Sequence, residues 1–297
     1  MTRLLSALSQ VSGDYDVLYC DLWGCLHDGR APFPAAVAAL RAFRQGGGKV
    51  LLLTNAPRPK GSIIRQLDRI GVPADCYDDL VSSGDAAQYG LVTGAVGRRV
   101  HHVGPDKDKT FFTDLSDDVR MIAATQPPFT LVPLDQAEGL VVTGLLDDLT
   151  ETPDDYRATL LSAKARGLKL LCANPDVVVD LGDKRLYCAG AIAQAYDAMG
   201  GRSLYFGKPH PPIYDLARRR VAALPGVPDD PRILAVGDGI ATDIQGAIGE
   251  GLDALFVAGG IAADSFGPDA GSPDPALLQN WLQDQQLDPT YTIGKLQ

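Results

Sequence analysis

Residues 17–29, VLYCDLWGCLHDG, decide how the rest of this chain is read. Val17–Cys20 is an apolar run too short for a helix and rich enough in Val, Leu and Tyr for a buried strand. Asp21 follows at once, then Gly24 and a polar loop. A carboxylate at the carboxyl end of a buried strand sits where open α/β sheets place their ligands. Such an Asp can equally be a strand-ending or helix-capping residue. Three further stretches repeat the pattern of an apolar strand that stops at a polar residue: LLLTN ending at Asn55, YFGKP around Lys208, and ILAVGDGIATD ending at Asp243.

Taken together and in this order, the four stretches resemble the motifs of the haloacid dehalogenase-like superfamily. The long insert between the second and third is similar to that of its class IIA phosphatases, the nitrophenylphosphatase, phosphoglycolate and pyridoxal phosphatase group. The resemblance covers nearly the whole chain. It implies an α/β fold: a doubly wound, parallel-sheet, Rossmann-like core from residues 1–82 and 190–297, with an inserted α/β cap at 83–189. One position departs from the pattern. The family's second Asp, two residues after the nucleophile, is Trp23 here.

The totals agree with two domains. The chain has 297 residues, 45% hydrophobic and 22% charged, an ordinary globular composition. A net charge of −10, with no basic run longer than Arg218–Arg220, argues against nucleic acid or an anionic membrane as partner. An anionic small substrate stays possible, because a local Lys and a metal outweigh the global field. The five Cys include no CxxC pair, so neither a disulfide framework nor a zinc site is suggested. MTRLLSALSQ is too short and too polar for a signal peptide, and no apolar stretch approaches the roughly 20 residues of a membrane span. A cytoplasmic protein is expected, and the resemblance adds a homodimer.

Along the chain, periodicity predicts helices over Pro34–Arg44 and Ser62–Ile70 and strands at Lys49–Thr54 and Asp79–Ser82, the start of a doubly wound sheet. From Ser83 onward, strands are expected at Arg99–Val103, Gly139–Thr143 and Leu168–Cys172, with a helix opened by Thr152 and Pro153. Ser203–Gly207 is read as a strand returning to the core with Lys208, Arg232–Val236 and Ala254–Ala258 as two more, and Ala241–Gly249 as a helix between them.

A phosphate ester carries close to two negative charges, so a carboxylate that attacks phosphorus needs cations and a hydroxyl or amide cradle. Asp21 is the candidate nucleophile. Asp21 and Asp238, from two strand ends, are candidate ligands of Mg²⁺, which takes a few carboxylates plus waters and the substrate's phosphate. The resemblance adds the backbone carbonyl of Trp23 as a third ligand, which survives the change of side chain. By the same resemblance Thr54 and Asn55 hold phosphoryl oxygens, and Lys208 neutralises phosphate and nucleophile. Asp243 reads either as a helix cap or as support behind the metal ligands. GDG at Gly237–Gly239 lacks the third glycine of a dinucleotide fingerprint. The resemblance also implies that the insert closes over the site, with Asn174–Cys188 supplying part of the substrate contact; Trp23, His27, Asn174 and Asp176 are the candidate contacts, and Asp180 and Asp183 in the same segment are further ones.

The leading reading is a Mg²⁺-dependent hydrolase of a small phosphorylated metabolite. Trp23 removes the group that would protonate the leaving oxygen and activate water, a loss of ~10²–10⁴ in rate, or roughly 3–5 kcal/mol of barrier. An alternative is a phosphometabolite-binding or regulatory protein that kept the cradle and gave up turnover. Carbon-centred dehalogenation is a third, since the resembling dehalogenases also carry an aromatic residue there; they work without Mg²⁺, and Asp238 and Asp243 argue against it.

Overall fold

The computed structural model describes residues 2–181 and 184–297. Its strands in chain order are β1 (Arg3–Leu5), β2 (Val17–Cys20), β3 (Lys49–Thr54), β4 (Asp79–Ser82), β5 (Arg99–Val103), β6 (Thr130–Leu131) and β7 (Gly139–Val142). They continue with β8 (Lys169–Cys172), β9 (Val178–Leu181), β10 (Lys184–Tyr187), β11 (Arg202–Tyr205), β12 (Ile233–Gly237), β13 (Asp253–Val257) and β14 (Tyr291–Ile293). Seven form one sheet in the order β1-β14-β13-β12-β2-β3-β4, five a second in the order β11-β8-β7-β5-β6, and β9 and β10 an antiparallel pair. The expected doubly wound α/β architecture is borne out: β2 pairs in parallel with both β12 and β3, and β13 with β12 and β14.

The central strands β2 and β3 of the first sheet are short and apolar because both their faces are covered. Val17, Leu18, Tyr19 and Cys20 are all buried, as are Val50 to Leu53. The helix Pro34–Gln45 starts with proline at its first position and turns Ala36, Val37, Leu40 and Phe43 inward. Burying each of the three larger side chains is worth about 1.5–3 kcal/mol.

The second sheet shows the period-two alternation of strand side chains. Leu140, Val142, Leu170 and Cys172 pack on one face with Leu160, Ile192 and Tyr196. Val141 and Leu171 pack on the other with Leu91, Phe111 and Phe112. The helix preceding β8 opens as expected, with Thr152 and Asp155 making a reciprocal capping box.

Cα packing divides the chain into two compact units, Met1–Thr54, Arg65–Val81 and Tyr214–Gln297 in one, Asn55–Ile64 and Ser82–Ile213 in the other. Local contacts explain why 55–64 belongs with the second. Asp85 Oδ1 accepts from the Lys60 N–H at 3.0 Å, and a Cβ on Gly84 would lie 2.4 Å from the Pro57 carbonyl oxygen.

Four features differ from the sequence expectation. The strand that leads to Lys208 pairs with β8 in the five-stranded sheet, not with the core sheet in which a boundary at 189/190 would put it. The stretch 174–188, expected as a contact loop, carries the β9–β10 hairpin. The helix expected over 241–249 begins as a wide π turn, Ile240–Ile244, before the α-turn Gln245–Gly249. β1 was not expected; three residues carry no readable period, and its partner β14 lies at the other end of the chain.

Candidate active site

Parallel register builds the carboxylate pair. Cys20 lies opposite both Val236 and Leu52, so Asp21 leaves its strand level with Gly237, one residue before Asp238. The Asp21 N–H donates to the Val236 carbonyl at 2.8 Å and carries the pairing one step beyond the strand. Asp21, Asp238 and Cys25 are all buried, and one ligand atom from each lies within 4.8 Å of the other two. Two buried carboxylates this close repel unless a cation or proton joins them. The donor set therefore fits a divalent ion.

Asp238 is held by backbone and by missing side chains. The Ile261 N–H donates to its Oδ2 at 2.9 Å. A Cβ on Gly24, whose φ is +76°, or on Gly260 would stand 2.1 Å from that oxygen. Asp243 stands behind the same turn: its Oδ2 accepts from the Gly239 N–H at 3.1 Å, and a Cβ on Gly237 would meet its Cγ at 2.1 Å. It braces the loop that carries Asp238 and is not among the converging ligand atoms. Thr54, also buried, ends β3.

The loop after Asp21 folds on itself. His27 Nδ1 accepts the Gly29 N–H at 3.0 Å, so the proton of the neutral ring sits on Nε2. Burial pushes the His27 pKa down to about 4, which keeps it neutral. Its ring meets the Trp23 indole edge-on at 5.5 Å, and a Cβ on Gly29 would lie 2.3 Å from that indole. The half-buried Trp23 ring thus packs on its own loop, and His27 fastens the loop.

In the second unit Asn55 clamps the backbone of Lys208. The Lys208 N–H donates to Asn55 Oδ1 at 2.7 Å, and Asn55 Nδ2 donates to the Lys208 carbonyl at 3.0 Å and to Asp176 Oδ1 at 2.8 Å. Asn174 Oδ1 accepts the Asp176 N–H at 3.0 Å. A Cβ on Gly207 would lie 2.4 Å from Asn55 Oδ1, so only glycine lets the clamp close. The structure thus brings Asn55, Lys208, Asp176 and Asn174 together in one unit, and Asp21 and Asp238 together in the other. Asp183 and the side chain of Asp180 lie outside the described residues. Sequence reasoning missed Cys25 as a neighbour of the carboxylates and Gly24 and Gly260 as the walls around Asp238. Glycine three positions after the candidate nucleophile was the one available signal.

A crystal structure of a hydrolase from Brucella suis, described as of the haloacid dehalogenase-like family, superposes with a TM-score of 0.82 at 36% identity, covering 98% of this chain and 99% of that one. The chain belongs to the haloacid dehalogenase-like hydrolases. A sequence profile of that family matches residues 18–116, and a second, described as HAD-hydrolase-like, matches 205–292. The inserted second unit agrees with class IIA of the family. D-glycerol 3-phosphate phosphatase of Mycobacterium tuberculosis is 28% identical over 258 residues, 86% of this chain but 66% of that protein, just under two thirds of its length. A crystal structure of a glycerol phosphate phosphatase from the same organism, in complex with magnesium, has a TM-score of 0.62 at 26% identity, covering 95% of this haloacid dehalogenase-like chain and 76% of the other.

Proposed function

We propose that this hydrolase is a Mg²⁺-dependent phosphatase of a small phosphorylated metabolite, with Asp21 as nucleophile. The observation that carries the reading is the convergence of two buried strand-end carboxylates, Asp21 and Asp238, on one point. The similarity to a glycerol 3-phosphate phosphatase and to a magnesium-bound relative supports it.

In this reading an Asp21 oxygen attacks phosphorus, the ester oxygen departs, and water then hydrolyses the aspartyl-phosphate. Asp21, Asp238 and the main-chain carbonyl of Trp23 would hold Mg²⁺, which would supply the charge that offsets the phosphate. Lys208 adds a second positive charge, placed by the Asn55 clamp on its backbone. The Thr54 hydroxyl cradles a phosphoryl oxygen. Asn55 acts through Lys208, because its amide oxygen and nitrogen are already engaged. Asp243 keeps Asp238 in place. The inserted unit serves as the cap that restricts substrate size, with Asn174 and Asp176 on its substrate side.

Trp23 has no proton to give the departing oxygen, so esters with weakly basic leaving groups, aryl and acyl phosphates, react before alkyl ones. The second reading, a protein that binds phosphometabolites without turning them over, is favoured by one observation: the Trp23 ring is built into the loop that follows the nucleophile. A panel of phosphate esters with and without Mg²⁺ decides. Mg²⁺-dependent phosphate release supports the enzyme; Mg²⁺-dependent binding by calorimetry without release supports the binding protein. No helix among the described residues is long and apolar enough to cross a membrane. We place the enzyme in the cytoplasm, a reducing compartment in which five cysteines without a CxxC pair stay thiols.

A further inference from the structure

The loop that leaves Asp21 returns to it. Leu26 and His27 both donate their N–H to the Leu22 carbonyl, at 2.8 and 3.0 Å, and Gly24 donates to the His27 carbonyl at 2.9 Å. With Gly24 in the left-handed region, that turn carries Cys25 back under the strand ends. There the thiol is 1% exposed and has its sulfur within 4.8 Å of oxygens from both Asp21 and Asp238. Among the described residues it makes no hydrogen bond, unlike Cys20, whose thiol donates to the Asp21 carbonyl at 3.2 Å.

We propose that Asp21, Cys25 and Asp238 form a site for a thiophilic divalent cation of the zinc class, which competes with Mg²⁺. The competition rests on the phosphatase reading; the sulfur ligation does not. A buried structural thiol belongs among apolar groups, whereas this one faces two carboxylates. A thiol that coordinates such an ion gives its proton to solvent and binds as thiolate. Mg²⁺ takes oxygen ligands in an octahedron and has little use for sulfur. Zinc accepts thiolate and carboxylate together, and tetrahedral sulfur and oxygen ligands on one ion stand roughly 3.5 Å apart. The three ligand atoms here already lie within 4.8 Å of one another, so a small inward turn of the side chains closes them on one ion. Three protein ligands close around it, in place of the hydrated ion that a phosphate substrate needs.

The probe is Cd²⁺, titrated into the metal-free full chain and followed by its ultraviolet sulfur-to-metal absorption, with Mg²⁺ titrated calorimetrically into the same protein. One Cd²⁺ per chain with a sulfur band is expected in the unsubstituted protein, and loss of the band in Cys25→Ser. Zn²⁺ affinity in that variant should fall at least about 10-fold, the lower end of what losing even an indirect ligand partner costs. No band, or a band of equal height in Cys25→Ser, overturns the proposal. Cadmium NMR on the unsubstituted chain needs no variant: a shift for one sulfur among oxygens supports the site, and an all-oxygen shift overturns it. A sulfur band in a protein that ignores Mg²⁺ would defeat the phosphatase reading and leave the thiophilic site standing; Mg²⁺ binding without a band would do the reverse.

Discussion

At the ends of β2 and β12, two carboxylates and a thiol converge, held by backbone N–H groups and by glycines that leave room for them. Around Lys208, in the other unit, an amide, a carboxylate and a backbone are already tied to one another at 2.7 to 3.0 Å. The first region gathers like charge and, in the proposed reading, is completed by a cation. The second is complete in its own hydrogen bonds and serves to place a residue. Substitutions in the first should therefore change what ion is bound, and substitutions in the second should change turnover without changing the ion.

The largest expected effect tests the first half of that contrast. Asp238→Asn should weaken Mg²⁺ binding by about 100-fold or more, at least the cost of losing a partner of a metal ligand, as read by calorimetry. Unchanged Mg²⁺ affinity would remove Asp238 from the site.

Asn55→Ala tests the other half. It frees the Lys208 backbone, and a misplacement of about 1 Å costs on the order of 100-fold in kcat/KM. Mg²⁺ affinity should stay within about twofold, as for independent sites. A comparable loss of Mg²⁺ binding in both variants would erase the distinction between the regions.

Each unit also holds a neutral histidine, His27 buried in the first and His102 half-buried in the second. Burial pushes His102 from 6.5 down to about 4, with His101 and Lys109 acting in the same direction and Asp106 against it, and its Nε2 meets Thr143 Oγ1 at 2.9 Å. The unfolded chain binds this proton first, so the stability it supplies is present above pH 6.5 and is lost as pH falls toward 4. At about pH 5 the loss is about 2 kcal/mol, roughly 30-fold in the folding equilibrium. His27 contributes with the same sign. His102→Asn should flatten the pH dependence of denaturant midpoints between 4 and 6.5; an unaltered slope would contradict the assignment.

The smallest effect is a gain. Trp23→Asp restores a carboxylate two residues after Asp21, and alkyl phosphate hydrolysis should rise at least ~10-fold. Removing a half-buried indole should cost about 2 kcal/mol of stability, half the toll of a fully buried one. A folded variant with intact Mg²⁺ binding and no gain on any ester would show that a missing acid is not what limits this site.

Much of the first region was legible in the sequence, because it depends on local pattern. Four apolar residues before Asp21 and five before Asp238 announce strands, and parallel pairing then brings the two carboxylates level. Cys25 was not legible: its return depends on three backbone hydrogen bonds and a left-handed Gly24, none of which leaves a period. The second region hid for a different reason. Asn55 and Lys208 are 153 residues apart, so neither announces the other. Apolar content around Leu204 announces a strand but not which sheet receives it, and β11 went to the second sheet. VVDL and KRLY mix apolar and charged residues in runs of four, too short to read as a hairpin.

The central claim is that Asp21 attacks phosphorus, and rapid acid quench tests it most directly. The protein with Mg²⁺ is mixed with an aryl phosphate, quenched during turnover, and its peptides are analysed by mass spectrometry. With Asp21 as nucleophile, a phosphoryl group is expected on the peptide containing Asp21, and no phosphate release at all from Asp21→Asn. Phosphoryl on a different residue, or undiminished release from a folded Asp21→Asn variant, would contradict it.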